Sequence, residues 1–165
     1  MAALNFGAAL SVTDVKAKML RLKQSCATGK TFISIRFTIE DIEKPIVILK
    51  HEVGNDTSCR GTIAPNGVCR ACGVAAPGVK SYSMNMLIAD IEDEKVTLEV
   101  KGADKAGDSM FKMTATQFDA LEPTIQADLI EKTMCVPTYA KLVLQYRVEN
   151  DSFMAAIYNV EQLPM

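Results

Sequence analysis

The chain has 165 residues, with 48% hydrophobic and 23% charged, enough to bury one core of ordinary composition. A formal net charge of −2 and a pI near 5.5 exclude a uniformly basic nucleic-acid binder. No apolar run approaches the roughly 18 residues of a membrane span, and Met1–Phe6 lacks the charged and apolar regions of a secretory signal, so a soluble intracellular protein is expected.

The charge is unevenly spread. Residues 1–36 hold Lys16, Lys18, Arg21, Lys23, Lys30 and Arg36 against Asp14 alone, leaving the remainder acidic. A local field of this kind can matter more than the net charge.

In chain order, Ser11 to Asp14 has the form of a capping box with Asp in place of Glu, and Val15, Met19 and Leu22 follow at helical spacing. A helix is predicted over 12–25, ended by Thr28-Gly29-Lys30. From Thr31 to Ile39 apolar residues alternate, as in a half-buried strand, and after a polar break a second β run covers Pro45 to Lys50. Residues 51–79 have no periodicity and are rich in Gly, Pro, Asn, Asp and Cys, which is loop chemistry that needs an external staple. Strands are then predicted over Tyr82–Ile91 and around Val96, Leu98 and Val100, with Tyr82, Met84, Met86 and Ile88 on one face.

Residues 103–109 read as a small-residue loop, and 116–134 as a helix broken near Pro123, with Phe118, Leu121, Ile125, Leu129 and Ile130 as its buried stripe. Two last strands, 139–149 and 152–161, flank a tight turn at Asn150-Asp151. In the first of them Ala140, Leu142, Leu144, Tyr146 and Val148 share a face. The order predicts a mainly β fold: a five-stranded OB barrel with a helix between strands three and four and an insertion over about 51–79 between strands one and two. An interrupted β-sandwich is the alternative that the pattern leaves open.

The chain has five cysteines, an odd count that argues against a disulfide framework. Three of them fall in the insertion just after the only histidine, as His51-x7-Cys59-x9-Cys69-x2-Cys72. Zinc takes four N or S ligands tetrahedrally, and a closed four-ligand site is structural. His51, Cys59, Cys69 and Cys72 are therefore the candidate ligands of one structural Zn2+, with Asp56 as a reserve ligand. A redox Cys-x2-Cys would need a strand-to-helix junction, and Gly73 to Gly78 carries no helix signal. A catalytic zinc would need an open position and a general base, which the sequence does not supply. Three buried cysteines without metal would need apolar surroundings that this polar loop lacks. Cys26 and Cys135 read as ordinary small buried residues.

Cys69-Arg70-Ala71-Cys72, the strand Tyr82 to Asp90 with its Ile88-Ala89-Asp90, the lead-in Val12 to Lys16 and the closing Tyr158-Asn159-Val160 carry a family likeness. Over Ser11 to Leu163 the sequence resembles the C-terminal DNA-binding domain of the replication protein A large subunit and its paralogues, an OB fold with a zinc ribbon between its first two strands. The resemblance implies single-stranded DNA as ligand, other OB-fold subunits as partners, and a nuclear role in replication, repair or telomere maintenance. His51 stands where the family has its first cysteine, the gap to Cys59 is wider, and the fourth strand is less basic. These departures point to a diverged telomeric or meiotic paralogue.

OB domains hold single strands in a groove where cations track phosphates and rings stack on bases. Lys141 and Arg147 are phosphate candidates on the fourth strand, with Tyr139 as a stacking candidate at its start. Lys101, Lys105, Phe111 and Lys112 lie in or beside the loop after the third strand, and Lys80 begins the second. Phe111 reads equally as core, and Tyr82 better as core. The acidic balance favours a rival reading, a zinc-stabilised OB scaffold for protein assembly with weak or no nucleic-acid binding. No Ser-His-Asp set, phosphate-binding loop or paired-carboxylate cleft is legible, so no enzyme is expected.

Overall fold

The computed structural model describes residues 9–51, 61–75 and 78–162. Helix α1, Val12–Gln24, starts as its capping box predicts: Ser11 Oγ accepts from the Asp14 N–H at 3.1 Å, and the Asp14 carboxylate accepts from the Ser11 N–H at 3.3 Å. Val12 and Val15 are fully buried, and Met19 packs partly against the core.

Strand β1, Thr31–Ile42, alternates through Ile35, Phe37 and Ile39 into the core. A register shift between Ile39 and Asp41 adds a residue there, so Ile42 also points inward while Asp41 faces solvent. The strand thus runs past its predicted end at Ile39. Strands β2, Val47–Lys50, and β3, Val79–Tyr82, form a separate antiparallel pair, Val47 opposite Tyr82 and Lys50 opposite Val79. The predicted strand over Tyr82–Ile91 is therefore two: β3, and β4, Met84–Ala89. A tight turn leads to β5, Thr97–Gly102.

Strands β6, Thr138–Arg147, and β7, Ser152–Gln162, complete a closed barrel in the order β1-β4-β5-β7-β6. All neighbours are antiparallel except β5 and β7, which are parallel. This is the five-stranded OB barrel that the pattern predicts, and its closure leaves the barrel sheet without an edge.

Between β5 and β6 the predicted loop at 103–109 is instead a helix, α2, Asp104–Phe111. Its small residues serve close packing: a Cβ at Gly107 would run into the Tyr82 ring. The helix expected over 116–134, broken near Pro123, is a short α3, Ala115–Asp119, then α4, Pro123–Thr133, with Pro123 in the first turn as predicted. Of the predicted stripe Phe118 is buried and Leu129 and Ile130 pack partly against the core, but Ile125 is exposed. Val148 is also exposed, because a 3₁₀ turn over Val148–Asn150 has already ended the strand. Cys26 and Cys135 are exposed rather than buried, both at positive φ just beyond helix ends.

Two contacts tie these parts together. Asp90, buried at the end of β4, accepts hydrogen bonds from Thr13 Oγ1 (2.6 Å), Thr13 N–H (3.0 Å) and Glu92 N–H (2.9 Å). Burial pushes its pKa up, but the bonds from Thr13, Glu92 and Asp93 outweigh this and hold the carboxyl below its ordinary value. Tyr82, fully buried, rests among Phe111 and Phe118 and donates its hydroxyl proton toward the Met113 and Thr114 carbonyls, at 3.0 and 3.2 Å. Burial, with Asp108 and Asp104 nearby, pushes its phenol well above the usual range.

Candidate metal centre and nucleic-acid groove

The β2–β3 pair is the stalk of the insertion, and residues 61–75 fold back on it. The Ile63 N–H donates to Leu49 O and the His51 N–H to Gly61 O, each at 2.8 Å. Ala64 to Gly67 makes a tight turn closed by Gly67 N–H to Ala64 O, with Gly67 at positive φ and Asn66 Oδ1 accepting from the Val68 N–H. The chain then returns through Cys69, and a second turn, closed by Gly73 N–H to Cys69 O at 2.9 Å, carries Cys72 back over Cys69. Gly73, at φ 74°, lets the chain leave that turn.

Through these turns one ligand atom each from His51, Cys69 and Cys72 come within 4.8 Å of one another, and Cys72 Sγ stands 3.3 Å from His51 Nδ1. Tetrahedral zinc bonds of roughly 2.0–2.3 Å would set ligand atoms about 3.3–3.8 Å apart, so the donor set fits a metal ion. Cys69 and His51 are buried and Cys72 is exposed. Gly61 closes one side: a Cβ there would lie 2.6 Å from Cys69 Sγ and 2.5 Å from the Ala71 Cβ. Cys59 and Asp56, the other expected ligands, lie outside the described residues.

A groove of about 600 Å³ crosses the solvent face of β4 and β5. On that face pairing sets Asp41, Leu87 and Glu99 in one cross-strand row, and Asn85 beside Lys101 in another. Arg147, from the end of β6, and Phe153 and Met154, from the start of β7, make one wall, and Asp41 and Glu43 the other. Three carboxylates (Asp41, Glu43, Glu99) thus face two cations (Lys101, Arg147). Phe153, partly exposed, is braced by Tyr146 at a ring separation of 5.0 Å. The Tyr146 hydroxyl donates to Asp151 Oδ1 at 2.7 Å, a bond that pushes its pKa up to about 12 and holds Asp151 below its ordinary value, with Lys23 assisting at 3.1 Å.

The structure brings two of the predicted nucleic-acid residues together, Lys101 and Arg147, and places the other six elsewhere. Lys141 projects from the outer face of β6, where its ammonium donates to Ser34 Oγ at 2.9 Å and lies 5.5 Å from the Tyr139 ring centroid. Tyr139 is buried with only 5% exposure, so its ring offers no stacking face. Its hydroxyl bonds Ser34 Oγ at 2.9 Å; that bond outweighs burial, and with Lys141 it lowers the phenol pKa. Phe111 is likewise core, its ring 4.9 Å from that of Phe118 and tilted to it, so of its two expected readings the core one describes it. Lys80 pairs with Asp119 at 2.6 Å beside the stalk. Lys105 and Lys112 sit on and just after α2, exposed and away from the groove.

Asp41, Glu43, Asn85, Glu99 and Phe153 were not singled out by sequence reasoning. Outward parity on β5 could have found Glu99 beside Lys101. Asp41 could not be found that way, because the register shift in β1 breaks the alternation just before it.

An OB barrel with a three-donor cysteine–histidine cluster in its β1–β4 connection defines the class of this chain. The sequence matches no protein-family model, and it matches no curated protein. Solved structures share the fold. A chain described as "Structure and Conformational Change of a Replication Protein A Heterotrimer Bound to ssDNA" superposes with a TM-score of 0.62 at 11% identity, over 88% of this chain and 35% of that one. "Yeast RPA bound to ssDNA" gives 0.59 at 14% identity, over 84% and 80%. "Crystal structure of fission yeast Pot1 and Tpz1" gives 0.55 at 8% identity, over 94% and 91%. This chain therefore spans about a third of the first structure's chain and most of the other two. Among the described residues no helix is long and apolar enough to cross a membrane.

Proposed function

We propose that this chain is a non-enzymatic OB-fold domain that binds single-stranded DNA, stabilised by one structural zinc, and works beside other OB-fold subunits in a nuclear, replication protein A-like complex. The observation that carries the reading is the groove on β4 and β5. It lies on the face where OB folds take oligonucleotides, between the β1–β4 insertion and the β6–β7 turn, and combines Lys101, Arg147 and the partly exposed Phe153. The likeness to replication protein A and Pot1–Tpz1 chains supports it. A telomeric or meiotic branch of that group fits the divergent ligand spacing around His51.

Zinc is favoured over other metals by the donor chemistry, two thiolates and an imidazole on a closed turn. Cys59 would be the fourth ligand. Elemental analysis of purified protein tests this: one zinc per chain is expected, and none in Cys69→Ser.

Fluorescence anisotropy with a labelled single-stranded oligonucleotide tests the function. Binding should weaken with salt, and Arg147→Ala and Lys101→Ala should each weaken it by about three- to tenfold at low salt. Lys141→Ala should have little effect, since Lys141 does not line the groove. The three groove carboxylates favour a second reading, the protein-assembly scaffold. No oligonucleotide binding even at low salt would select it.

A further inference from the structure

The groove itself holds more carboxylates than cations, while residues 1–36 hold six cations against one acid. The fold brings part of that surplus to the groove. A second trough of about 520 Å³ shares Leu87, Glu99, Phe153 and Ala155 with the groove, so the two are continuous. They are continuous because β5 and β7 hydrogen-bond only where Lys101 and Gly102 meet Ala156 and Ile157. Nearer the start of both strands the sheet opens, and Lys16 and Met19 of α1 line the opening.

Lys16, Leu20 and Lys23 follow the i, i+4, i+7 spacing that puts side chains on one helix stripe. Lys16 donates to the Thr97 carbonyl at 2.9 Å and makes no ion pair among the described residues. Lys23 meets Asp151 at 3.1 Å, with both side chains half-exposed. An open pair of that kind contributes little and yields easily to a phosphate. Leu20, between the two lysines, is 56% exposed, an apolar side chain that the protein itself does not cover. The one acid of α1, Asp14, is occupied in the capping box.

We infer that a single strand leaves the groove past Phe153 and continues along α1, where Lys16 and Lys23 take its phosphates and Leu20 packs against a base. This rests on the reading of the groove as a single-strand site and extends it by a second segment of backbone contacts. Asp151 then opposes binding, because its carboxylate holds Lys23 and faces the same trough.

The test compares labelled oligo-dT of about six and about sixteen nucleotides, within the range one OB fold occupies, by anisotropy across a salt series. Wild type should bind the longer strand more tightly. Lys16→Ala/Lys23→Ala should weaken the longer strand roughly tenfold and reduce its salt slope by about 1.4, at about 0.7 per lost phosphate contact, with the short strand unchanged. Asp151→Asn keeps the side-chain shape, and Asn tolerates the left-handed backbone at this position. It should tighten the longer strand about threefold. Equal affinity for both lengths in wild type, or equal losses for both in the double variant, overturns the α1 path while the groove stands. Failure of wild type to bind either length overturns the groove reading, and the α1 path with it.

Discussion

The barrel and the insertion at 61–75 are built by different means. The barrel is closed by hydrogen bonds on every strand and filled by side chains such as Phe37, Ile88, Leu142 and Leu144, each essentially without exposure. In residues 61–75 the buried apolar side chains are Ile63 and Cys69 alone, and regular pairing is reduced to isolated bridges at Lys50–Thr62, Ile63–Cys69 and Val68–Ala75. A segment with so little apolar surface cannot offset its own ordering entropy. A metal held by the candidate ligand cluster would supply the missing term, since metal binding free energy becomes folding free energy. The contrast teaches that one chain can use periodic burial in one region and, in another, gather donor atoms at one point where burial is scarce.

The largest test of that contrast is removal of the ligand set. Cys69→Ser, or a strong chelator, should lower the melting temperature by roughly 10 °C or more, with near-full retention of the far-UV strand signal at 25 °C. An unchanged melt would break the comparison, leaving the ribbon as stable without metal as with it. Within the barrel, the sharpest single test is Asp90→Asn. One amide oxygen cannot replace two carboxylate oxygens that accept three hydrogen bonds, so the loss should be about 2 kcal/mol in a denaturant titration.

Asp90 also sets a pH dependence. Its carboxyl titrates below its ordinary value of 3.8 when folded and at about that value when unfolded. Its contribution is complete above that value and is lost as pH falls through the folded one. Wild type should therefore lose stability more steeply below about pH 4 than Asp90→Asn does.

Smaller effects sharpen the contrast at single glycines. Gly61→Ala forces a methyl onto Cys69 Sγ, and should lower metal affinity in a chelator competition by about tenfold without touching the barrel. Gly29→Ala meets nothing within 4 Å and sits outside the left-handed region. It should be neutral or stabilising by about 0.5 kcal/mol.

The barrel was largely legible because its signals are local. Alternation over Thr31–Ile39 and the Ser11–Asp14 cap each report their own element. What stayed hidden depends on partners distant in sequence. Helix α2 looked like a loop because its Gly107 makes room for the ring of Tyr82, which precedes it by more than twenty residues. Tyr139 looked like a stacking residue because strand parity put it outside, yet Ser34, across on β1, holds it down. Of the candidate metal ligands, the three described ones were legible as a cluster from their spacing, because donor type and turn chemistry are both written in the residues. The groove was legible only at Lys101 and Arg147, since its carboxylates assemble from β1, the residue just after it and β5.

The position of Tyr82 limits how the molecule can be taken apart. It belongs by hydrogen bonding to the ribbon's stalk, opposite Val47, but its ring fills the barrel's end between Gly107, Phe111 and Phe118. A ribbon cassette cut at the ends of its stalk would carry that ring away and leave a void of aromatic size under α2. A graft onto another barrel, or a deletion that keeps this one intact, has to be cut between Val79 and Tyr82, leaving the tyrosine with its host.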